Sequence, residues 1–170
     1  MQIQDLPYSA QTEFPEVVAD SPNKYHAALL QNLYASCSSE TSAILQYVFQ
    51  SYVANDKEKE ISKLFQNIAM VEMHHHKHLA EAIIKLGGVP YYTNSQGTNF
   101  NMRCVYEGTN LKQMLLSDIE NEEKAILEYN YAKSKINNPT VQALIDRIVL
   151  DEELHKKSLE TVLEYISFYK

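Results

Sequence analysis

Glu72-Met73-His74-His75 and Glu152-Glu153-Leu154-His155 are one pattern written twice, Glu-x-x-His, set 80 residues apart and each inside a stretch of helical period. Positions i and i+3 of a helix share a face, so each copy sets a carboxylate oxygen beside an imidazole nitrogen. First-row transition metals accept that ligand pair. Two copies in one short chain predict a two-metal site built symmetrically.

The flanking residues extend the pattern. Steps of three and four give Ile61, Phe65, Ile68, Glu72, His75, Leu79 and Ala82 around the first copy, and Val141, Ile145, Ile148, Glu152, His155, Leu159 and Val162 around the second. The same steps give Leu33, Cys37, Glu40, Ile44 and Tyr47 upstream of the first, and Leu115, Ile119, Glu122, Ile126 and Tyr129 upstream of the second. Each series is a core stripe broken at mid-length by an acid, or by an acid and a histidine. Segment 40–47, ETSAILQY, matches segment 122–129, EEKAILEY, at five of eight positions, which marks an internal duplication. A lone buried carboxylate costs several kcal/mol or is forced to protonate, so four at one depth demand cations. Two divalent ions offset the four charges and two imidazoles complete the shells. The candidate metal ligands are Glu40, Glu72, His75, Glu122, Glu152 and His155, with Glu120 or Glu123 replacing Glu122 if the register differs.

Working outward, residues 1–21 read as an extended tail and 22–170 as one all-α domain. A chain of 170 residues, 45% hydrophobic with only 4 Gly and 5 Pro, is long enough to bury a helical core unaided. The first helix is expected over 22–54 and the second over 55–86, opened by Asn55 with Glu58 as its capping-box partner. Gly87-Gly88 closes the second helix. Residues 89–109 lack helical period and are long for a connection, which fits a crossover running the length of a bundle from one helical hairpin to the other. The third helix is expected over 110–136 and the fourth from Pro139 nearly to Lys170. In the run His74-His75-His76-Lys77-His78 only His75 falls on the core stripe, leaving His74, His76 and His78 for the surface or helix contacts. Met70 and Met73 are expected as core filler.

Composition excludes several classes. A net charge of −7 with no basic cluster argues against nucleic acid. No apolar run is long enough to span a bilayer. The first residues have neither the basic nor the apolar region of a secretory signal, so a cytoplasmic location is expected. Cys37 and Cys104 are expected as reduced thiols.

Glu, Glu-x-x-His, Glu, Glu-x-x-His in a four-helix bundle with one long crossover between the second and third helices resembles the ferritin-like di-metal carboxylate superfamily. That superfamily holds rubrerythrins, bacterioferritins and manganese catalases. The resemblance covers about 22–168 and implies a ferritin-like fold. Glu40-x-x-Ala43-Ile44-x-x-Tyr47 resembles the first helix of bacterioferritins and rubrerythrins, whose tyrosine lies beside the metals; this implies a catalytic role for Tyr47 and, through the repeat, a supporting one for Tyr129. Asp151-Glu152-Glu153-Leu154-His155 is similar to the fourth-helix motif, in which the Asp orients a ligand histidine from another helix, here His75. The chain departs from rubrerythrins in having no CxxC pairs and in carrying Ala125 where they have a further Glu.

The resemblance implies two iron ions per chain, with manganese as the alternative, and an oxidoreductase that reduces peroxide or O2 in oxidative-stress defence using an external electron donor. Glu72 and Glu152 would be shared between the ions, with Glu40 and His75 on one and Glu122 and His155 on the other. The rivals are a dimanganese catalase, a ferroxidase and iron-storage protein, and a bundle that keeps metals only for structure. The tail and 12 tyrosines suggest subunit contacts, with a homodimer as default.

Overall fold

The computed structural model describes residues 3–54 and 58–169. Five α-helices are present among them: α1 (Lys24–Ala35), α2 (Glu40–Ala54), α3 (Lys59–Lys85), α4 (Leu111–Lys135) and α5 (Pro139–Tyr169). No helix among the described residues is long and apolar enough to cross a membrane. α2 packs along α3 and α4 along α5, which are the two hairpins of the internal repeat. α1 and α2 together take the place of one bundle helix, so the fold is a ferritin-like four-helix bundle.

The first helix expected over 22–54 is broken at residues 36–39, Ser-Cys-Ser-Ser. Serine hydroxyls compete with the helical ladder for backbone carbonyls, and three hydroxyls do so here. Ser39 Oγ donates to Ser36 O (2.6 Å), Ser42 Oγ to Cys37 O (2.8 Å) and Thr41 Oγ1 to Tyr34 O (2.7 Å). The break corrects the stripe drawn through both halves: Cys37 is exposed and Ile44 only half-buried. It also corrects the expectation of free thiols. Cys37 is joined in a disulfide to Cys104, 67 residues away, whose Cα lies 4.9 Å from its own. A spacing that long says nothing about pairing until the crossover is placed.

The crossover is ordered by what it touches. Gln31 Nε2 on α1 donates to Tyr91 O (2.6 Å) and Thr93 O (2.8 Å), and Tyr106 N donates to Gln46 Oε1 on α2 (2.9 Å). A bridge between Thr93 and Asn99 and a 3-10 turn at Met102–Cys104 complete it. Gly87 has φ +80°, and a Cβ there would come within 2.8 Å of Pro22, so glycine ends α3 for both conformation and space. The capping pair Asn55–Glu58 falls partly on residues outside those described, and α3 opens at Lys59. Asn23 and Asn110 cap α1 and α4, accepting from His26 N and Gln113 N.

Core residues form two apolar clusters. One gathers Leu30, Leu33, Leu79, Ile83, Leu144 and Ile148; the other gathers Ile61, Phe65, Ile68, Met114, Leu115 and Leu159. Each fully buried aliphatic or aromatic side chain contributes about 1.5–3 kcal/mol. Both seven-residue stripes around the Glu-x-x-His motifs are buried throughout. Met70 and Met73 are 49% and 46% exposed, so they are surface residues and not core filler.

Asp118 on α4 is fully buried, accepting from Gln46 Nε2 (2.7 Å) and Gln50 Nε2 (2.8 Å) on one oxygen while the other has no hydrogen-bond partner. Burial raises its pKa from 3.8 to about 7 despite those two donors. Its folded pKa exceeds its unfolded one, so this group favours folding most at acid pH. That contribution is lost as pH rises toward 7. Asp118→Asn, which imitates the protonated acid, is therefore expected to raise stability at pH 8 by about 2–4 kcal/mol and to change it little near pH 4. Urea unfolding of the metal-free protein at the two pH values checks this; equal effects at both would contradict it.

Candidate metal centre

Between the two apolar clusters lies a layer of charge. Glu40 opens α2, Glu72 and His75 lie mid-way along α3, Glu122 on α4, and Glu152 and His155 on α5; all six are at most 4% exposed. Their ligand atoms fall into two groups, each lying within 4.8 Å of one another: Glu40, Glu72, His75 and Glu152, and then Glu72, Glu122, Glu152 and His155. Glu72 and Glu152 belong to both groups. Glu120 and Glu123 stay exposed at the surface, paired with Lys124 and Lys156 at 2.7 Å, and of these three neighbouring acids only Glu122 turns inward.

Acid and imidazole atoms crowd together in this layer: His155 Nδ1 lies 3.0 Å from Glu72 Oε1 and His75 Nδ1 lies 3.0 Å from Glu152 Oε1. These contacts are poorly aligned as hydrogen bonds, so Glu40 Oε2, Glu72 Oε1, Glu152 Oε1 and His155 Nδ1 are buried without a well-formed one. Buried polar atoms are nearly always well satisfied, and four acids and two imidazoles crowded with poor alignment into one small space fit a site for cations. Carboxylate and imidazole donors suit iron and manganese alike.

Electrostatics show how the layer survives without metal. Burial, then the Glu72 carboxylate, holds Glu40 well above the usual carboxylate range. Burial, then the Glu152 and Glu72 carboxylates, does the same to Glu122. Burial also works to raise Glu72, but hydrogen bonding with His155 and His75 outweighs it and the group lies well below the usual range. Glu152 is lowered too, where burial and Glu72 are outweighed by His155 and His75 together. Burial disfavours charge on the histidines, yet their acidic neighbours prevail: His75 is held well above its ordinary value and His155 is pushed up to about 10. The shifts run in complementary directions: Glu72 and Glu152 are pushed toward the charged carboxylate, His75 and His155 toward the imidazolium, and Glu40 and Glu122 toward the neutral acid.

Two tyrosines cross between the repeats. Tyr47 on α2 donates to Glu122 Oε1 on α4, and Tyr129 on α4 donates to Glu40 Oε1 on α2. Both are 2% exposed, and burial followed by the adjoining carboxylate keeps each phenol protonated. Both line a cavity of about 40 Å³ with Glu40, Glu72, Glu122 and Glu152, room for a few water-sized molecules.

The tail contributes more than its composition predicts. Asp151 Oδ2 lies 2.9 Å from His75 Nε2 and 2.7 Å from Arg147 Nη1, and Asp151 Oδ1 accepts from Ala10 N (2.6 Å). His155 Nε2 lies 2.8 Å from Tyr8 O. Arg147 also donates to Thr12 O (2.6 Å) and Ala10 O (2.9 Å). Phe14 lies edge-on to His75 at 5.9 Å and stacks on His78 at 4.3 Å. The tail therefore backs both candidate ligand histidines, His75 and His155. Only Asp151 among these partners was legible in sequence; backbone acceptors leave no residue signature. Of the other histidines, His74 is exposed and His76 stacks on Tyr34 at 4.1 Å.

Orienting partners of ligand histidines are worth 10–100-fold in metal affinity. Asp151→Asn is expected to weaken one of two metal-binding steps by about that factor and leave the other nearly unchanged. Competition with a chelator of known affinity measures both steps; equal weakening of both would contradict the assignment to His75.

Residues 31–163 match the Rubrerythrin family. The chain belongs to the rubrerythrin family. It is 26% identical over 172 aligned residues to a probable manganese catalase of Clostridium acetobutylicum, covering 89% of this chain and 76% of that one. Among solved structures, a manganese catalase from Anabaena superposes with a TM-score of 0.85 at 20% identity, over 95% of this chain and 81% of that one. A Desulfovibrio desulfuricans bacterioferritin with a diiron site superposes with a TM-score of 0.73 at 25% identity, over 88% and 86% of the two chains. As a member of the rubrerythrin family with this frame, the chain is a di-metal carboxylate protein of the ferritin-like superfamily.

Proposed function

We propose that this protein reduces hydrogen peroxide at a di-iron or di-manganese centre in oxidative-stress defence, drawing electrons from an external donor. The observation that carries this reading is the pair of four-residue ligand groups sharing Glu72 and Glu152, buried between apolar clusters and opening on a small cavity. Two ions held there would supply a two-electron store and hold both oxygens of peroxide.

The chain's own residues then have defined tasks. Glu40 and His75 would hold one ion and Glu122 and His155 the other, with Glu72 and Glu152 within reach of both. Asp151 and the Tyr8 carbonyl fix the two imidazoles. Tyr47 and Tyr129 hold the outer carboxylates in place and keep a proton at Oη on the cavity wall. Reducing peroxide to two waters consumes two protons, and Tyr47 Oη is positioned to hand one over. The apolar clusters exclude bulk water from both ends.

A second reading is favoured by the 26% identity to the probable manganese catalase: peroxide disproportionation, which needs no reductant. Metal analysis of protein purified without added metal, followed by oxygen-electrode assays, separates the two. About two ions per chain and peroxide loss that requires reductant support the first reading. Oxygen release without reductant replaces it by the second. Absence of bound iron and manganese would overturn both. Peroxide as substrate, a cytoplasmic location and a homodimer remain parts of this proposal.

A further inference from the structure

The disulfide Cys37–Cys104 faces two ways. Cys37 is exposed in the break between α1 and α2, and Cys104 is half-buried at the end of the crossover's 3-10 turn. Yet Cys37 also lines the cavity that holds Glu40, Glu122, Tyr47 and Tyr129, and it stands three residues before Glu40. A disulfide buried only for stability has no need of a surface, and one placed only at a surface has no need of the site. Exposed disulfides are the ones open to attack by an external thiolate. No other cysteine is present in the sequence, so no competing exchange partner exists within the chain.

We propose that Cys37 and Cys104 are the electron entry of the metal centre and that the external donor is a dithiol, which makes the protein a dithiol-dependent peroxidase. This rests on the peroxide-reducing reading above and names its reductant. An external dithiol attacks the exposed Cys37–Cys104 bond; its two sulfurs become a disulfide, and Cys37 and Cys104 become thiols. Those two thiols then give up two electrons and two protons to peroxide in the cavity. The O–O bond breaks, the S–S bond re-forms, and each peroxide oxygen leaves as water. The sum is one dithiol and one peroxide converted to one disulfide and two waters. The serine-bonded break at residues 36–39 leaves Cys37 exposed while it still lines the cavity and is joined to the crossover.

The test uses metal-loaded protein reduced anaerobically with dithiothreitol, freed of excess reductant and mixed with one equivalent of peroxide. Acid quenching, alkylation and mass measurement then count free thiols. The expected result is the loss of two thiols per peroxide consumed, at least about tenfold faster than in metal-free protein (about 1.4 kcal/mol of barrier). Sustained peroxide consumption with dithiothreitol as sole reductant should be lost in Cys37→Ser with Cys104→Ser. Thiols that stay reduced while peroxide disappears would overturn the inference and leave the peroxide reading standing. Thiols that oxidise equally fast without metal would overturn it as well. If neither wild type nor the double variant consumes peroxide, both readings fall together.

Discussion

Metal-free protein titrated with Mn(II) or anaerobic Fe(II) at pH 7 is expected to release about four protons per chain. The number comes from the charge layer. Glu40 and Glu122 are pushed toward the neutral acid, and His75 and His155 toward the cation. All four must lose a proton before they can donate a lone pair to a cation. Two dications entering as four protons leave keeps the buried layer neutral in both states, which avoids stranding charge in a low-dielectric interior. Affinity should therefore rise steeply with pH, toward about four powers of ten per unit while all four protons are still bound. The two states of the centre also differ in how they meet extremes of pH. In the metal-free protein, His155 contributes stability that is complete below 6.5 and lost as pH rises through about 10. Glu72, lowered when folded, contributes stability present above 4.5 and lost as pH falls through its folded value. A pH indicator in weakly buffered solution reads the stoichiometry directly. Release of about one proton or none would mean that the layer holds its charge some other way.

Glu72→Gln and Glu152→Gln should each abolish loading of both ions, whereas Glu40→Gln and Glu122→Gln should each spare one. Glu72 and Glu152 belong to both ligand groups, and the other two acids to one group each. Glutamine keeps the volume and an acceptor oxygen but not the charge, so each shared position removes a donor from two ions at once. The expected loss of affinity exceeds the roughly 100-fold that removal of an orienting partner costs. The fold should persist, because the apolar clusters on either side of the layer do not depend on it. Metal content after gel filtration, with circular dichroism as the control for folding, measures this. Retention of one tightly bound ion in Glu72→Gln would show that the carboxylate is not shared.

Much of this centre could be read from the chain because charge on an apolar stripe is conspicuous. All seven positions of the stripe through Glu72 and His75, and all seven through Glu152 and His155, are buried. Environment separates the three neighbouring acids of α4: Glu122 points inward while Glu120 and Glu123 meet lysines at the surface. The α1–α2 region was harder. Its residues have helical period on both sides of 36–39, and what breaks the ladder is a set of hydroxyl-to-carbonyl bonds that depend on the turn already being formed. The disulfide follows from that turn and from the path of the crossover, neither of which a separation of 67 residues encodes. Residues 1–21 have no period at all, and apart from the Phe14 ring the described part of the tail meets Asp151 and His155 through main-chain atoms.

The contact between His155 Nε2 and Tyr8 O has a consequence for how this protein can vary. A peptide oxygen is common to every residue type, so replacing Tyr8 leaves the acceptor where it is. Adding or removing one residue in this strap shifts the carbonyls along the chain by up to about 3.3 Å, more than a hydrogen bond tolerates. The same slip would carry Ala10 N away from Asp151. At these two contacts the strap is thus constrained in its length rather than in the identity of residues 8 and 10.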